Sequence, residues 1–101
     1  MRKNFRTFDL AVRFYRSCQE LSFRSYIKDQ LYRAAHSIAL NLAEGRGKRT
    51  LKDQKRYFHN ALGSVRECQA ILILEGLEQT EQWELLDRLA GSLFRLIERA
   101  R

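Results

Sequence analysis

Proline is absent from this sequence, and glycine occurs only five times. A chain so poor in turn-forming residues changes direction rarely, so few and long elements are expected. Cysteine is scarce too. Cys18 and Cys68 lie far apart and form no CxxC pair, which excludes a disulfide-stapled scaffold and the usual zinc spacings. Cys18 follows Phe14, and Cys68 follows Val65, at helical core spacing. Both are expected as reduced core thiols of a cytoplasmic protein. No apolar run approaches the ~20 residues of a membrane span. The opening MRKNFRTFDL has no apolar segment of the signal-peptide kind, so no membrane partner is expected. Catalytic signatures are missing as well: there is no Gly-x-Ser-x-Gly elbow, Walker loop, dinucleotide-binding turn or Glu-x-x-His pair. Gly45-Arg-Gly47-Lys-Arg resembles a phosphate loop only superficially, because it follows a helix and lacks the spacing. His36 and His59 fall on different predicted helices, with no motif around them. The expectation is a protein that is not an enzyme and uses no metal or cofactor.

What is present is charge. The 101 residues, one domain's worth, carry 19 Lys+Arg against 12 Asp+Glu, a formal net charge of +7. The excess is uneven: residues 1–66 hold fifteen cations and five anions, and residues 67–101 hold four and seven. A basic front with an acidic back fits polyanion binding, although proteins that bind no nucleic acid show it too.

Apolar periodicity predicts four helices. The first runs from about Thr7 to Leu21, with Phe8, Val12, Tyr15 and Cys18 on one face. The second runs from about Tyr26 to Ala43 or Glu44, with Ile27, Leu31, Ala34 or Ala35, Ile38 and Leu42 inward, and Gly45 is expected to stop it in a left-handed conformation. The third runs from about Leu51 to Glu75 or Gly76. Its stripe is Leu51, Phe58, Leu62, Val65 and Leu72, with Ala61 and Cys68 filling in, and Thr50 is its N-cap. Thr80 caps the fourth, whose stripe is Leu85 or Leu86, Leu89, Leu93, and Leu96 or Ile97. Four helices with short connections imply an all-α, antiparallel up-down-up-down four-helix bundle over residues 1–101. Gly63 and Gly91 sit mid-helix among small residues. A close helix-helix approach would explain the cost of about 1 kcal/mol that each carries against alanine.

Two stretches, Ile38-Ala-Leu-Asn-Leu-Ala43 and Ala70-Ile-Leu-Ile-Leu74, are apolar nearly all round. A helix apolar on every side is buried on every side, and no helix is central in a monomer of this size. The outer face of the second or third helix is therefore expected in self-association. The alternative is a broad core stripe with a few exposed leucines. Two polar stripes run beside these stretches. Gln30, Arg33, Ser37, Asn41 and Glu44 step along the second helix, and Asn60, Ser64 and Glu67 along the third. They read either as solvated faces or as a structural hydrogen-bonded network of Arg33, Ser37, Asn41, Glu44, Asn60, Ser64 and Glu67. Glu44 would there accept bonds from backbone N–H groups or an arginine.

Gln30-Leu31-x-Arg33-Ala34-Ala35 followed by Ser37-Ile38-x-x-Asn41-Leu42-Ala43-Glu44-Gly45 resembles the signature of the bacterial "four helix bundle protein" family. Its first members were described as reading frames in intervening sequences of large-subunit ribosomal RNA genes. Phe58 with Ala61-x-Gly63-Ser64-x-x-Glu67 matches the second signature, and Phe8-x-Leu10-Ala11-Val12 fits the first helix. The likeness covers nearly the whole chain. It departs in the first connection, where the family has a longer segment with Phe-Pro, and at Tyr32-Arg33, where the family has paired arginines. The resemblance implies a ring-shaped homopentamer. It also implies kinship with the accessory variability determinant of diversity-generating retroelements, a basic pentamer that binds nucleic acid and partners a reverse transcriptase.

Cations crowd the start of the third helix. Lys48, Arg49, Lys52, Lys55, Arg56 and His59 gather there, and Arg66 continues the side. Cations at a helix N-terminus oppose its dipole, and a docked anion would reverse the sign. Arg2, Lys3, Arg6, Arg13 and Arg16 form a second patch. Five copies at +7 would carry about +35 and attract polyanions. Two readings follow. The first is an oligomer that binds RNA or DNA through phosphate contacts without reading sequence, as an accessory factor to RNA handling or reverse transcription. The second is a structural or adaptor oligomer that binds a protein partner and no nucleic acid.

Overall fold

The computed structural model of the protein describes residues 5–99. They form four helices, α1 (Arg6–Ser17), α2 (Ser25–Arg46), α3 (Leu51–Leu74) and α4 (Glu81–Arg99), with a 3-10 turn at Cys18–Glu20 continuing α1. No strand occurs among the described residues, and none of these helices is long and apolar enough to cross a membrane. The molecule measures 41 × 22 × 22 Å. At 1.5 Å per residue, the 24 residues of α3 span most of that length.

α1 packs on α2 and α4, and α3 packs on the same two, so α1 and α3 occupy diagonal corners. The α2–α3 interface is the most extensive. Ser37 meets Ser64 across it, and Gly45 meets Phe58. On the opposite side, Thr7 meets Ser92 and Ser17 meets Gln82. All four helices feed one apolar cluster that includes Phe14, Leu31, Ile38, Phe58, Val65, Leu72, Leu86 and Leu93. Burying such a side chain contributes roughly 1.5–3 kcal/mol.

The first helix buries a different face from the one its spacing suggests. Leu10, Ala11, Phe14 and Cys18 point inward, whereas Phe8, Val12 and Tyr15 flank the core half-buried. Both faces are apolar, and the inner one is selected by its fit between α2 and α4. The stripes of α2 and α4 are as expected, with both Ala34 and Ala35, and both Leu85 and Leu86, buried. In α3, Leu51 is exposed and Leu62 half-buried, so the stripe that faces the core is Phe58, Ala61, Val65, Cys68 and Leu72.

Gly45 does not end α2. The helix continues to Arg46, and the only glycine with positive φ among the described residues is Gly76, at +71°. The reason for Gly45 is contact. A Cβ at that position would lie 2.7 Å from Phe58 Cε1 and 3.0 Å from Tyr57 Cβ, so α3 approaches the α2 backbone where a side chain would stand. The glycines expected to serve close approach do not do so within this chain. A Cβ at Gly63 would meet nothing within 4 Å, and one at Gly91 would meet only Arg95 Nη1, at 3.6 Å.

Both ends of α3 and the start of α4 follow their sequence signals. Thr50 Oγ1 accepts from the Asp53 N–H at 3.1 Å, capping α3. α3 closes with the Leu77 N–H donating to Leu72 O at 2.8 Å and the Gly76 N–H to Ile73 O at 3.0 Å, a Schellman motif around left-handed Gly76. Thr80 Oγ1 accepts from the Trp83 N–H at 3.2 Å and donates to Leu77 O at 2.7 Å, which joins the α4 cap to the α3 stop.

Candidate nucleic-acid interface

The 24-residue α3 turns its apolar stripe toward α2 and α4. At 100° per residue, Lys52, Arg56, His59 and Arg66 fall opposite that stripe, and all four are exposed. Lys55 is half-buried beside them, and Arg49 is exposed in the loop before the helix. Gln54 Nε2 donates to Lys48 O at 2.9 Å, which fastens this short loop to the first turn of α3. Arg56 lies with its guanidinium carbon 5.1 Å from the Tyr57 ring centroid, and Arg66 likewise 5.7 Å from Phe94. These aromatic platforms hold two of the cations without neutralising them.

Lys48 differs from its neighbours. Its Nζ lies 3.3 Å from Glu44 Oε2 and 5.1 Å from the Tyr57 centroid. It is the only described cation with a carboxylate within 4 Å. Glu44 is exposed and held by Lys48, one turn on, instead of by backbone N–H groups or an arginine. An exposed pair of this kind is worth at most about 0.5 kcal/mol.

Arg13 and Arg16 are exposed on α1. Because α1 and α3 sit at diagonal corners, the α1 and α3 cations face different sides, and one copy does not join them into a single patch. Arg2 and Lys3 lie outside the described residues.

Part of the polar stripe forms a network. Ser64 Oγ donates to Ser37 Oγ at 2.9 Å. Asn41 Nδ2 donates to the same oxygen at 3.1 Å and to Ser37 O at 2.9 Å. These three half-buried residues stitch α2 to α3. Arg33, Glu44, Asn60 and Glu67 are exposed and take no part in it. Arg33, Ser37, Leu40 and Asn41 line an open hollow on the outer surface of α2. His36 is exposed, its ring centroid 5.9 Å from that of Tyr15.

Cys18 and Cys68 are buried and unbonded to each other. Burial raises the Cys18 thiol from the ordinary 9.0 to about 12. Burial also drives Cys68 upward, with Cys18 and Glu67 adding to the effect. Such thiols stay protonated and inert. No group of three or more His, Cys, Asp or Glu among the described residues could hold a metal ion.

A further basic cluster is missing from the sequence-based expectations. Arg6, Arg46, Arg95 and Arg99 line one cleft where α1 begins and α2 and α4 end. They come from three helices, so no spacing in the sequence brings them together.

The architecture is that of an all-helical protein whose four helices enclose one core and present a cationic face on α3. The chain belongs to the 23S rRNA-intervening sequence protein family, whose model matches residues 5–97. No curated protein and no solved structure matches the chain.

Proposed function

We propose that the protein is a non-enzymatic, self-associating, up-down-up-down antiparallel bundle that binds nucleic acid through the outward face of α3. The observation that carries this reading is the row Lys52, Arg56, His59 and Arg66, exposed along one face, with no carboxylate within 4 Å of any of them among the described residues. Unpaired Lys and Arg side chains on a rigid helix, with a histidine among them at spacings of three to seven residues, suit phosphate contacts along a strand, which position without reading sequence. The paired contacts Ser37–Ser64, Gly45–Phe58, Thr7–Ser92 and Ser17–Gln82 support the antiparallel order, because numbers rise on one helix as they fall on its neighbour.

Self-association rests on what the α2 and α3 surfaces leave uncovered. Leu40 is 55% exposed and Leu74 81% exposed, and Gly63 has open space where its side chain would be. An exposed glycine in the middle of a 24-residue helix costs about 1 kcal/mol, and a second copy packing closely over it would offset that cost. Five copies is the number the family resemblance implies. Reverse transcription or ribosomal RNA handling is the context in which such a ring would work in the cytoplasm, as an accessory to another protein.

The test is anisotropy of a labelled RNA and its DNA counterpart at two salt concentrations. Affinity should fall steeply with salt, and replacing Lys52, Lys55 and Arg56 together by Glu should lower it at least tenfold. Binding that ignores both changes would eliminate the α3 face. The second reading is an adaptor that binds a protein partner, favoured by the same Leu40 and Leu74 exposure. It predicts assembly without RNA retention at physiological salt.

A further inference from the structure

The cleft between the start of α1 and the ends of α2 and α4 has a volume of about 370 Å³. Arg6, Arg46, Arg95 and Arg99 line its sides, and the buried Thr7 and Ser92 contribute two hydroxyls joined at 2.6 Å. Arg46 is half-buried, with its guanidinium carbon 4.5 Å from the Phe5 ring centroid. Among the described residues, no carboxylate lies within 4 Å of any of the four guanidiniums.

Four like charges around a partly enclosed space repel one another, and solvation alone explains their gathering poorly. Helix dipoles account for two of them. Arg46 and Arg99 stand in the last turns of α2 and α4, where cations are favoured. They do not account for Arg6, which opens α1 at the end where a cation is disfavoured, or for Arg95, which lies a turn inside α4. An anion in the cleft reconciles all four. The first N–H groups of α1 open at the same place, and Phe5 caps that helix with no side-chain bond, so backbone donors add to the guanidiniums. Arginine forks match the oxygens of a phosphoryl group, and whichever of the Thr7 and Ser92 hydroxyls accepts their mutual bond keeps its own proton to donate to the same oxygens.

We propose that this cleft receives a terminal phosphoryl group, a phosphomonoester dianion. The floor formed by Phe5, Thr7 and Ser92 is buried, so a ligand end enters while a continuous backbone cannot thread through. Two sources share this chemistry: a free nucleotide, and the phosphorylated end of a nucleic-acid strand. The site is separate from the α3 face and stands whether or not that face binds.

The experiment uses the full chain, 5′-AMP, and a short RNA prepared with either a 5′-phosphate or a 5′-hydroxyl, titrated by calorimetry near physiological salt. The phosphorylated RNA is expected to bind about tenfold tighter than its twin. Arg95→Gln combined with Arg99→Gln should abolish that difference while leaving the hydroxyl form unchanged. Both arginines are exposed, so circular dichroism should show an intact fold. Charge reversal at Lys52, Lys55 and Arg56 should weaken both RNAs alike and keep their ratio. AMP binding that the Arg95/Arg99 variant loses identifies a free nucleotide as a sufficient ligand. A retained end preference without AMP binding identifies the strand end. Equal affinity for the two RNAs, together with no Arg95/Arg99-dependent AMP binding, overturns the proposal.

Discussion

At the residue scale, Gly45 and Gly63 make opposite demands. Gly45→Ala drives a methyl into the Phe58 ring, 2.7 Å away at its nearest atom. Phe58 is buried and has little room to retreat, so the variant should lose about 1–3 kcal/mol in urea unfolding, more than the helix propensity it gains. Nothing in the sequence distinguished this glycine from a helix stop, because Gly45 followed by Gly47 reads as a C-cap signal. Only the position of the Phe58 ring reveals its purpose. The two thiols give a pH statement. The Cys18 thiol stays protonated up to about 12 in the folded chain, while an ordinary thiol ionises near 9.0. Above pH 9 the unfolded chain therefore holds fewer protons than the folded one, and stability falls as pH rises through that window. Native protein should resist thiol-reactive reagents at pH 8 and react at both cysteines once unfolded. Rapid labelling of either cysteine under native conditions would contradict their burial.

At the element scale, helix existence was legible and helix faces were less so. Thr50, Thr80 and Gly76 mark the ends of α3 and the start of α4 as their residue types announce, because capping is a local interaction that a few neighbouring residues determine. α1 shows the limit. Phe8, Val12 and Tyr15 compete with Leu10, Ala11 and Phe14 for the inward position, and the choice is made by α2 and α4 instead of by α1 itself. The candidate network shows the same limit. Spacing puts eight polar residues on two stripes, seven of them in the expected network, and the packing of α2 on α3 brings only Ser37, Asn41 and Ser64 within bonding distance. Two substitutions test the ends. Gly76→Ala should cost about 1–2 kcal/mol, the penalty of a side chain at φ +71°. Thr80→Ala should cost about 1 kcal/mol by removing the Trp83 cap. Thermal unfolding measures both, and an unchanged midpoint for either would show that the cap contributes nothing.

At the scale of the whole molecule, cations and exposed apolar side chains share α3. Large apolar side chains are exposed at Tyr26 and Leu40 on α2, at Leu51, Ile73 and Leu74 on α3 and at Phe94 on α4, while Lys52, Arg56 and His59 lie in the first half of α3, away from Ile73 and Leu74. Self-association through Leu40 and Leu74 would keep Lys52, Arg56 and His59 open for a ligand. Leu40→Glu with Leu74→Glu should therefore shift the sedimenting species toward monomer and leave the folding midpoint of the monomer nearly unchanged, since both side chains project from the core. Sedimentation velocity at several concentrations checks this, and an unchanged assembly would move the interface elsewhere. The distribution of basic residues along the chain was visible from the start, but its division into separate surfaces was not. Diagonal placement of α1 and α3 divides one run of cations, and the meeting of three helix ends assembles another from positions as distant as Arg6 and Arg99.

The hydroxyl bond between Thr7 and Ser92 joins positions 85 apart, and Gln82 Nε2 donates to Ser17 O across 65. During synthesis, α1 leaves the ribosome long before α4 exists. Its inner face, Leu10, Phe14 and Cys18, can find at most the α2 half of its eventual surroundings while α3 is still being made. The α2–α3 hairpin needs only its own four-residue connection and can form in that interval. A nascent chain thus carries a greasy leading helix that waits for the trailing one, and exposure to chaperones should peak just before α4 clears the exit tunnel.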